Sequence, residues 1–364
     1  MRLRFFAHSW RSDWNHGNAH FLRGLTYELA RLGHEVRCYE AEDAWSFVNL
    51  LQEPMAAESL EEFHSNFPNL DVRTFASPKL KEFAEDELKD ADIVVVHEWN
   101  SPDVSDVILS LRGRFVYRVL FHDTHHRAYT SPKEIARIPI SGFDGVLAFG
   151  EAVRRIYTEA FQARRAWTLH EAADTAHFDT TASSDSAVVN WIGNWGDEER
   201  TRELHEFLVS PLEALGTPAV VYGVRYPAEA KAVLESAGIR YGGYLPNLAA
   251  PKVYSQATLT LHIPRRYYAN GLSGIPTIRM FEAMACGTPL VCSPWSDTER
   301  LFTAGQDYLC VSDGREMQSE ISHLLHDEAA RRQLARNGLE TIRQRHTCAH
   351  RAEEFLQICE ELGR

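Results

Sequence analysis

Residues 271–292, GLSGIPTIRMFEAMACGTPLVC, put one carboxylate, Glu282, inside an otherwise apolar short helix, and the punctuation on both sides fixes where that helix lies. Pro276 and Thr277 suit a first turn. Ile278, Phe281 and Ala285 recur at helical spacing, Gly287 supplies a left-handed cap, and Thr288-Pro289 forbids continuation. Leu290-Val291-Cys292 then reads as a strand. A loop of small residues (Gly271, Ser273, Gly274) that feeds a helix N-terminus presents free backbone N–H groups and a positive dipole end, a setting that suits a phosphate. Glu282 stands more than one turn further in, placed to accept hydrogen bonds from a ribose. The plain alternative is an exposed Arg279–Glu282 ion pair at i, i+3 on an ordinary crossover helix, and the segment alone does not separate the two.

Outward from this segment, strand and helix patterns alternate from the first residues. Strand-like runs cover 2–9, 35–40, 92–98, 114–123, 145–150 and 166–171, with helical patterns near 18–32, 102–112 and 151–162. Continuous apolar runs such as IVVVH and GVLAF are what a parallel sheet covered on both faces demands. After the polar stretch 179–186 the alternation restarts. Strands are expected at 188–194, 219–224, 239–245, 258–264, 290–293 and 308–312, with helices near 198–209 and 227–237 besides the one quoted. From about Arg315 the chain reads as consecutive helices. The expected fold class is α/β, two Rossmann-like doubly wound parallel-sheet domains over 1–169 and 170–348, and the expected site is the cleft they face.

Composition narrows the function classes. With 364 residues, 44% of them hydrophobic and 24% charged, there is enough apolar surface for two cores. A formal charge of −13 argues against nucleic acid or anionic lipid as a partner through the whole surface. The six cysteines are scattered without CxxC pairing and read as reduced core residues. The opening MRLRFFAHSW has only a short apolar run before Arg11 and Asp13, so it reads as a first strand and not as a signal peptide. No stretch approaches the roughly 18 apolar residues of a membrane span. The cytoplasm is the expected location.

Candidate chemistry should follow strands, and it does: His8-Ser9-Trp10, His97-Glu98, His122-Asp123, Gly193-Asn194, Arg225, Tyr244 and Arg265 all come after apolar runs. In SWRSDWNHGNAHFLRGL, Gly17 and Asn18 open an amphipathic helix; Asp13, Asn15 and His16 crowd the same loop, and no GxGxxG fingerprint is present. FHDTHHRAYT carries three histidines and an aspartate within five positions, without the spacing of closed zinc sites, so no metal is expected there. His122 ends a strand and suits a sugar hydroxyl or phosphate; His125 and His126 suit a solvated loop. Arg200, Arg225 and Arg265 each follow a strand of the second series. Singly each reads as a surface ion-pair partner, and together as a diphosphate site.

These residues carry a resemblance. GNAHFLRGLTYELARLGHEV, FHDTHHRAYT, TLHEAADTAHF, WIGNWGDEERT and PTIRMFEAMACGTPLV together resemble the GT-B-fold glycosyltransferases of the family 4 superfamily, in their spore-maturation-protein-like (CgeB-like) branch, over nearly the whole chain. The resemblance implies a nucleoside-diphosphate sugar bound by the C-terminal domain. Glu282 would then hold the ribose, and amides around Ser273, Gly274, Thr277 and Ile278 the diphosphate, with Gly193, Tyr244, Arg200, Arg225 and Arg265 around the same donor. His122 would touch the transferred sugar, and the loop at Gly17 and Asn18, with His125, would close on the acceptor side. The final helix, 349–364, would pack back on the first domain. Two departures stand out: Gly274 occupies the position, eight before Glu282, where the wider family has a second glutamate, and only Arg200 can stand in for the arginine-lysine pair that often follows the first glycine of the second domain.

The expected activity is sugar transfer to a hydroxyl acceptor without a metal or other cofactor and with retention of configuration. The leaving diphosphate can take the acceptor proton; His16, His122, Asp123 and His125 are the side chains to test in catalysis. A sugar-nucleotide epimerase or phosphorylase, and a nucleotide-binding module without transferase activity, are the competing expectations. The base, the sugar, the acceptor and the oligomeric state leave no mark in the sequence.

Overall fold

The apolar runs become the central strands of two separate parallel sheets. The structure, a computed structural model, describes residues 1–179, 188–196 and 198–363. It divides into two compact units, Met1–Glu171 with Cys348–Arg364, and Ala172–Thr347. Of the polar stretch 179–186, Asp179 pairs with Arg343 at 3.0 Å and the remainder lies outside the described residues.

In the first unit the strands are β1 (Arg2–Phe6), β2 (Glu35–Ala41), β3 (Asp71–Phe75), β4 (Ile93–His97), β5 (Arg118–Asp123), β6 (Gly145–Ala148) and β7 (Ala166–Thr168), all parallel in the order β3-β2-β1-β4-β5-β6-β7. Every residue of β4 is buried, as a central strand covered on both faces requires. β3 escaped the sequence reading: DVRTF is a half-exposed edge strand whose charges leave no apolar run. The helix Ala19–Arg31 buries Phe21, Leu22, Leu25 and Leu29, as its periodicity predicts. Cys348–Gly363 presents Cys348, Ala352, Phe355, Cys359 and Leu362 as a helical stripe, and the Phe355 ring lies 5.7 Å from that of Phe5 in β1.

The second unit holds β8 (Val189–Ile192), β9 (Ala219–Tyr222), β10 (Ile239–Tyr241), β11 (Leu259–His262), β12 (Leu290–Cys292) and β13 (Leu309–Cys310), again all parallel, in the order β10-β9-β8-β11-β12-β13. Its core joins Trp191, Val221 and Leu261 to Leu208 and Leu212 of the helical stretch after β8. That stretch runs Thr201–Leu204, widens into a π-turn over His205–Val209, and continues as Ser210–Leu215. The quoted helix spans Ile278–Ala285; Thr277 is its N-cap in an extended conformation, and Gly287 takes φ +65° just past its end. Five cysteines are buried and Cys310 is half-buried, and among the described residues none of the six is in a disulfide. Among the described residues no helix is long and apolar enough to cross a membrane.

Candidate functional site

In a doubly wound sheet, ligands collect outside the carboxyl ends of the strands where the strand order reverses. In the second unit that point lies between β8 and β11, and Arg200 spans it. Its Nε and Nη2 donate to the Asn194 carbonyl beyond β8 at 3.1 and 2.6 Å, and its Nη1 donates to the Ile263 carbonyl beyond β11 at 2.9 Å. Among the described residues no carboxylate pairs with it. Burial, and after it the charge of Arg265, lowers the guanidinium to about 9. Gly193 beneath it is demanded sterically, because a Cβ there would stand 2.7 Å from the Trp191 ring. The other two arginines differ: Arg265 forms an ion pair with Glu199, and Arg225 is exposed with φ +58°. Tyr244 is buried.

The helix after this loop has no side-chain cap; the Thr277 hydroxyl is bonded to His262 Nε2 at 2.9 Å. Burial first, then Arg200, lowers His262 to about 3, so it is neutral. The Gly274 N–H, expected to face a diphosphate, donates instead to the Ser296 carbonyl at 2.9 Å. Ser273, like Thr277, is half-buried in this loop, and Ile278 is buried. Gly274 has φ +91°, and a Cβ on it would meet Thr298 Oγ1 at 2.5 Å and Glu299 Cγ at 2.8 Å. Glu299 therefore takes the room into which a side chain at 274 would project.

Glu282 is 0% exposed and accepts from Arg279 Nη1 at 2.6 Å, Asn247 Nδ2 at 2.8 Å and the Tyr254 hydroxyl at 3.3 Å. The ion pair weighed as the plain alternative therefore exists, but its acidic member is not exposed. Position 282 faces inward, where the local partner Arg279 is joined by two partners from elsewhere in the chain. Asn247 and Tyr254 lie in another part of the sequence and went unnoticed for that reason.

In the first unit the order reverses between β1 and β4. There His8 follows β1, His97 ends β4, and His122 on β5 is the register partner of His97. His16 arrives from the loop after β1. Ring centroids lie 4.3 Å apart for His8 and His16, 5.4 Å for His16 and His97, and 5.5 Å for His97 and His122. The loop is held from inside: Ser12 Oγ donates to the Ser46 carbonyl at 2.9 Å, and Arg23 binds the Trp10 carbonyl at 2.8 Å and Asp13 at 3.1 Å. Burial lowers His8 to about 3 and His122 to about 4, and takes His16 and His97 well below the ordinary value. The half-buried Gly17 precedes Asn18, whose side chain donates to the Thr124 carbonyl at 2.8 Å instead of capping the helix, and His125 packs its ring 5.1 Å from that of Trp99.

Adjacent residues on an extended strand face opposite ways. The catalytic candidates thus separate: His16 and His122 share the imidazole layer, whereas Asp123 turns to the other face. There it accepts from the Tyr157 hydroxyl at 2.6 Å and the His125 N–H at 2.8 Å. Glu98 joins it, accepting from Arg127 Nε at 2.9 Å. Burial, then the charge of Asp123, raises Glu98 well above the usual carboxylate range, and burial raises Asp123. The sequence signal for this double layer is the repeated apolar-His-acid ending of IVVVHE and VLFHD.

Residues 200–357 match the model of a family described as glycosyl transferase-like. No curated protein matches the chain in sequence. Solved structures do match in shape. A sucrose-phosphate synthase from Thermosynechococcus elongatus is 15% identical, with a TM-score of 0.70 over 100% of this chain and 99% of that one. Anabaena HepE in complex with UDP is 13% identical, with a TM-score of 0.69 over 99% and 100%. An α-glucosyltransferase in complex with UDP and a 13-mer DNA is 14% identical, with a TM-score of 0.72 over 99% of each chain. Its segment 200–357 being similar to the glycosyl transferase-like family, this chain has the GT-B glycosyltransferase fold, two α/β domains built on parallel sheets of seven and six strands.

Proposed function

We propose that this protein is a glycosyltransferase that moves a sugar from a nucleoside-diphosphate sugar to a hydroxyl acceptor with retention of configuration, and that the second unit binds the donor. The observation that carries this reading is Arg200, a guanidinium without a carboxylate partner among the described residues, fixed by two strand-end carbonyls at the switch point of the second sheet. A fixed cation beside the open amides of the helix Ile278–Ala285 matches the charge that develops on a departing diphosphate, so no metal is needed at that point. Arg265 and Arg279 lie close enough to act on Arg200 electrostatically, each with its charge met by a carboxylate, Glu199 and Glu282. In the transfer the acceptor oxygen forms a bond to the anomeric carbon as the bond to the diphosphate breaks. The acceptor proton passes to the leaving phosphate oxygen. Glu282 orders Arg279, whose side chain is 27% exposed, and the ribose hydroxyls meet that ordered pair.

The first unit binds the acceptor, and His122 and His16 are its side chains to test in catalysis. The net charge of −13 argues against duplex DNA as the acceptor, although one relative was crystallised with DNA. The motifs quoted from the sequence favour the CgeB-like branch of the family 4 superfamily. A nucleotide-binding role without transfer is favoured by one observation, the absence of a carboxylate at Gly274. Glu299, which occupies that space, is the group that answers it.

Because two relatives were solved with UDP, UDP is the first probe. A thermal-shift series with nucleoside diphosphates, with and without magnesium, should give a concentration-dependent rise in Tm for one of them that magnesium does not change. Incubation with the matching sugar donor and a panel of hydroxyl acceptors, followed by NMR of the product anomer, tests transfer and retention. No shift with any nucleoside diphosphate overturns the donor assignment; nucleotide binding without product selects the silent module.

A further inference from the structure

We propose that His8, His16 and His97 form a binding site for one late first-row divalent metal ion of the zinc type. Each offers a ring nitrogen, and the three nitrogens lie within 4.8 Å of one another. A tetrahedral zinc with Zn–N bonds of about 2.0–2.1 Å holds its nitrogens about 3.3 Å apart, so ring rotations and small loop shifts close the set on an ion. The residues are 8%, 6% and 1% exposed. Polar nitrogens at such burial are normally hydrogen-bonded, yet among the described residues His8 Nδ1 and both ring nitrogens of His16 have no partner. An ordinary core histidine would spend these atoms on neighbours; a metal ligand keeps them.

The surroundings suit a cation. Burial keeps the rings neutral, so their lone pairs are not lost to protons at physiological pH. Thr124 Oγ1 holds His97 Nε2 at 3.0 Å, an outer contact of the kind that fixes a ligating imidazole, and His97 Nδ1 would take the ion in place of its long 3.4 Å bond from the Trp99 N–H. The nearby guanidinium of Arg127 is held by Glu98 at 2.9 Å, and its charge still acts on His8 and His97. His122, whose Nε2 has no partner among the described residues and whose ring stands 5.5 Å from that of His97, is the next imidazole within reach. An all-imidazole set favours zinc, copper, nickel or cobalt over magnesium or calcium. The site belongs to the first unit, independently of the donor assignment. The expectation of no metal had weighed only the segment 122–126; this set comes from three separated places in the chain.

The full-length protein titrated with Co(II) should take up one equivalent, with the intense visible bands of a four-coordinate ion, and Zn(II) should displace it. X-ray absorption of the zinc form should report at least three imidazole nitrogens near 2.0 Å. Separate H16Q and H97N variants should each weaken binding at least 100-fold, whereas His323→Ala with His326→Ala, an exposed i, i+3 pair on the helix Gly314–His326, should not. The proposal is overturned if the wild type binds no ion at one equivalent, if its spectrum is that of a water-rich octahedral ion, or if the exposed pair proves to be the site. The wild-type spectra decide the matter even where a substituted chain fails to fold.

Discussion

Glu282 has no exposure and its carboxylate accepts from Asn247, Tyr254 and Arg279, so removing it strands them together. Breaking such a buried pair costs about 3–5 kcal/mol, so Glu282→Ala should lower the urea midpoint strongly. Glu282→Gln keeps the shape and should cost clearly less, which makes it the better probe of donor binding. A Glu282→Gln protein with unchanged donor affinity and turnover removes this residue from the site. Arg200 is a sharper case, because its planar fork meets carbonyls on two different strand ends. Lysine keeps the charge and loses the fork. Arg200→Lys should reduce kcat/KM with the donor by about 10²-fold, the range seen when one charge-stabilising donor is lost. Steady-state kinetics at fixed acceptor reads this directly.

At the scale of the element, the loop and helix that open the site are held by backbone geometry and one neutral imidazole. Gly274 has φ +91° and no room for a Cβ beside Thr298 and Glu299, so Gly274→Ala should destabilise by about 1–3 kcal/mol in chemical denaturation. His262 ties Thr277, the N-cap of the helix Ile278–Ala285, to Cys292 on β12 at 3.2 Å. Burial holds it down to about 3, whereas the unfolded chain titrates near 6.5. The ring is neutral in both states at pH 7. Below about 6.5 the unfolded state takes a proton that the folded state refuses, so stability falls as pH falls toward 3. Between pH 7 and 5 this group alone should remove on the order of 2 kcal/mol. Denaturation of the wild type and of His262→Gln at both pH values checks it: the variant should lose less on acidification.

In the molecule as a whole, the two ends of the chain meet in one unit, because Cys348–Arg364 belongs with Met1–Glu171. Arg351 donates to the His170 carbonyl at 3.0 Å and Trp167 Nε1 to Glu361 at 2.8 Å, while Phe355, 0% exposed, packs toward Phe5. Phe355→Ala should therefore cost about 3–5 kcal/mol, and hydrogen exchange should locate the loss in the first unit although the substitution is near the C-terminus. Much of this architecture was legible locally. Two strand series, the helix after Gly17 and Asn18, and the Gly287 cap follow from periodicity and glycine or proline chemistry, which act over a few residues. β3 was not legible, since an edge strand needs no apolar run. Nor was the sharing of partners: which imidazoles gather at the head of β1 and β4, that His122 and Asp123 serve opposite faces, and that Arg265 is already paired with Glu199. The sequence by itself determined the alternation of strands and helices, because spacing sets it, and it left open whether Glu282 faces solvent or the interior, which the fold settles by burying it. Only the tertiary structure decided the rest, because crossover connections choose the order of parallel strands, and that order brings His8 beside His97, and Asn194 beside Ile263, from distant parts of the chain.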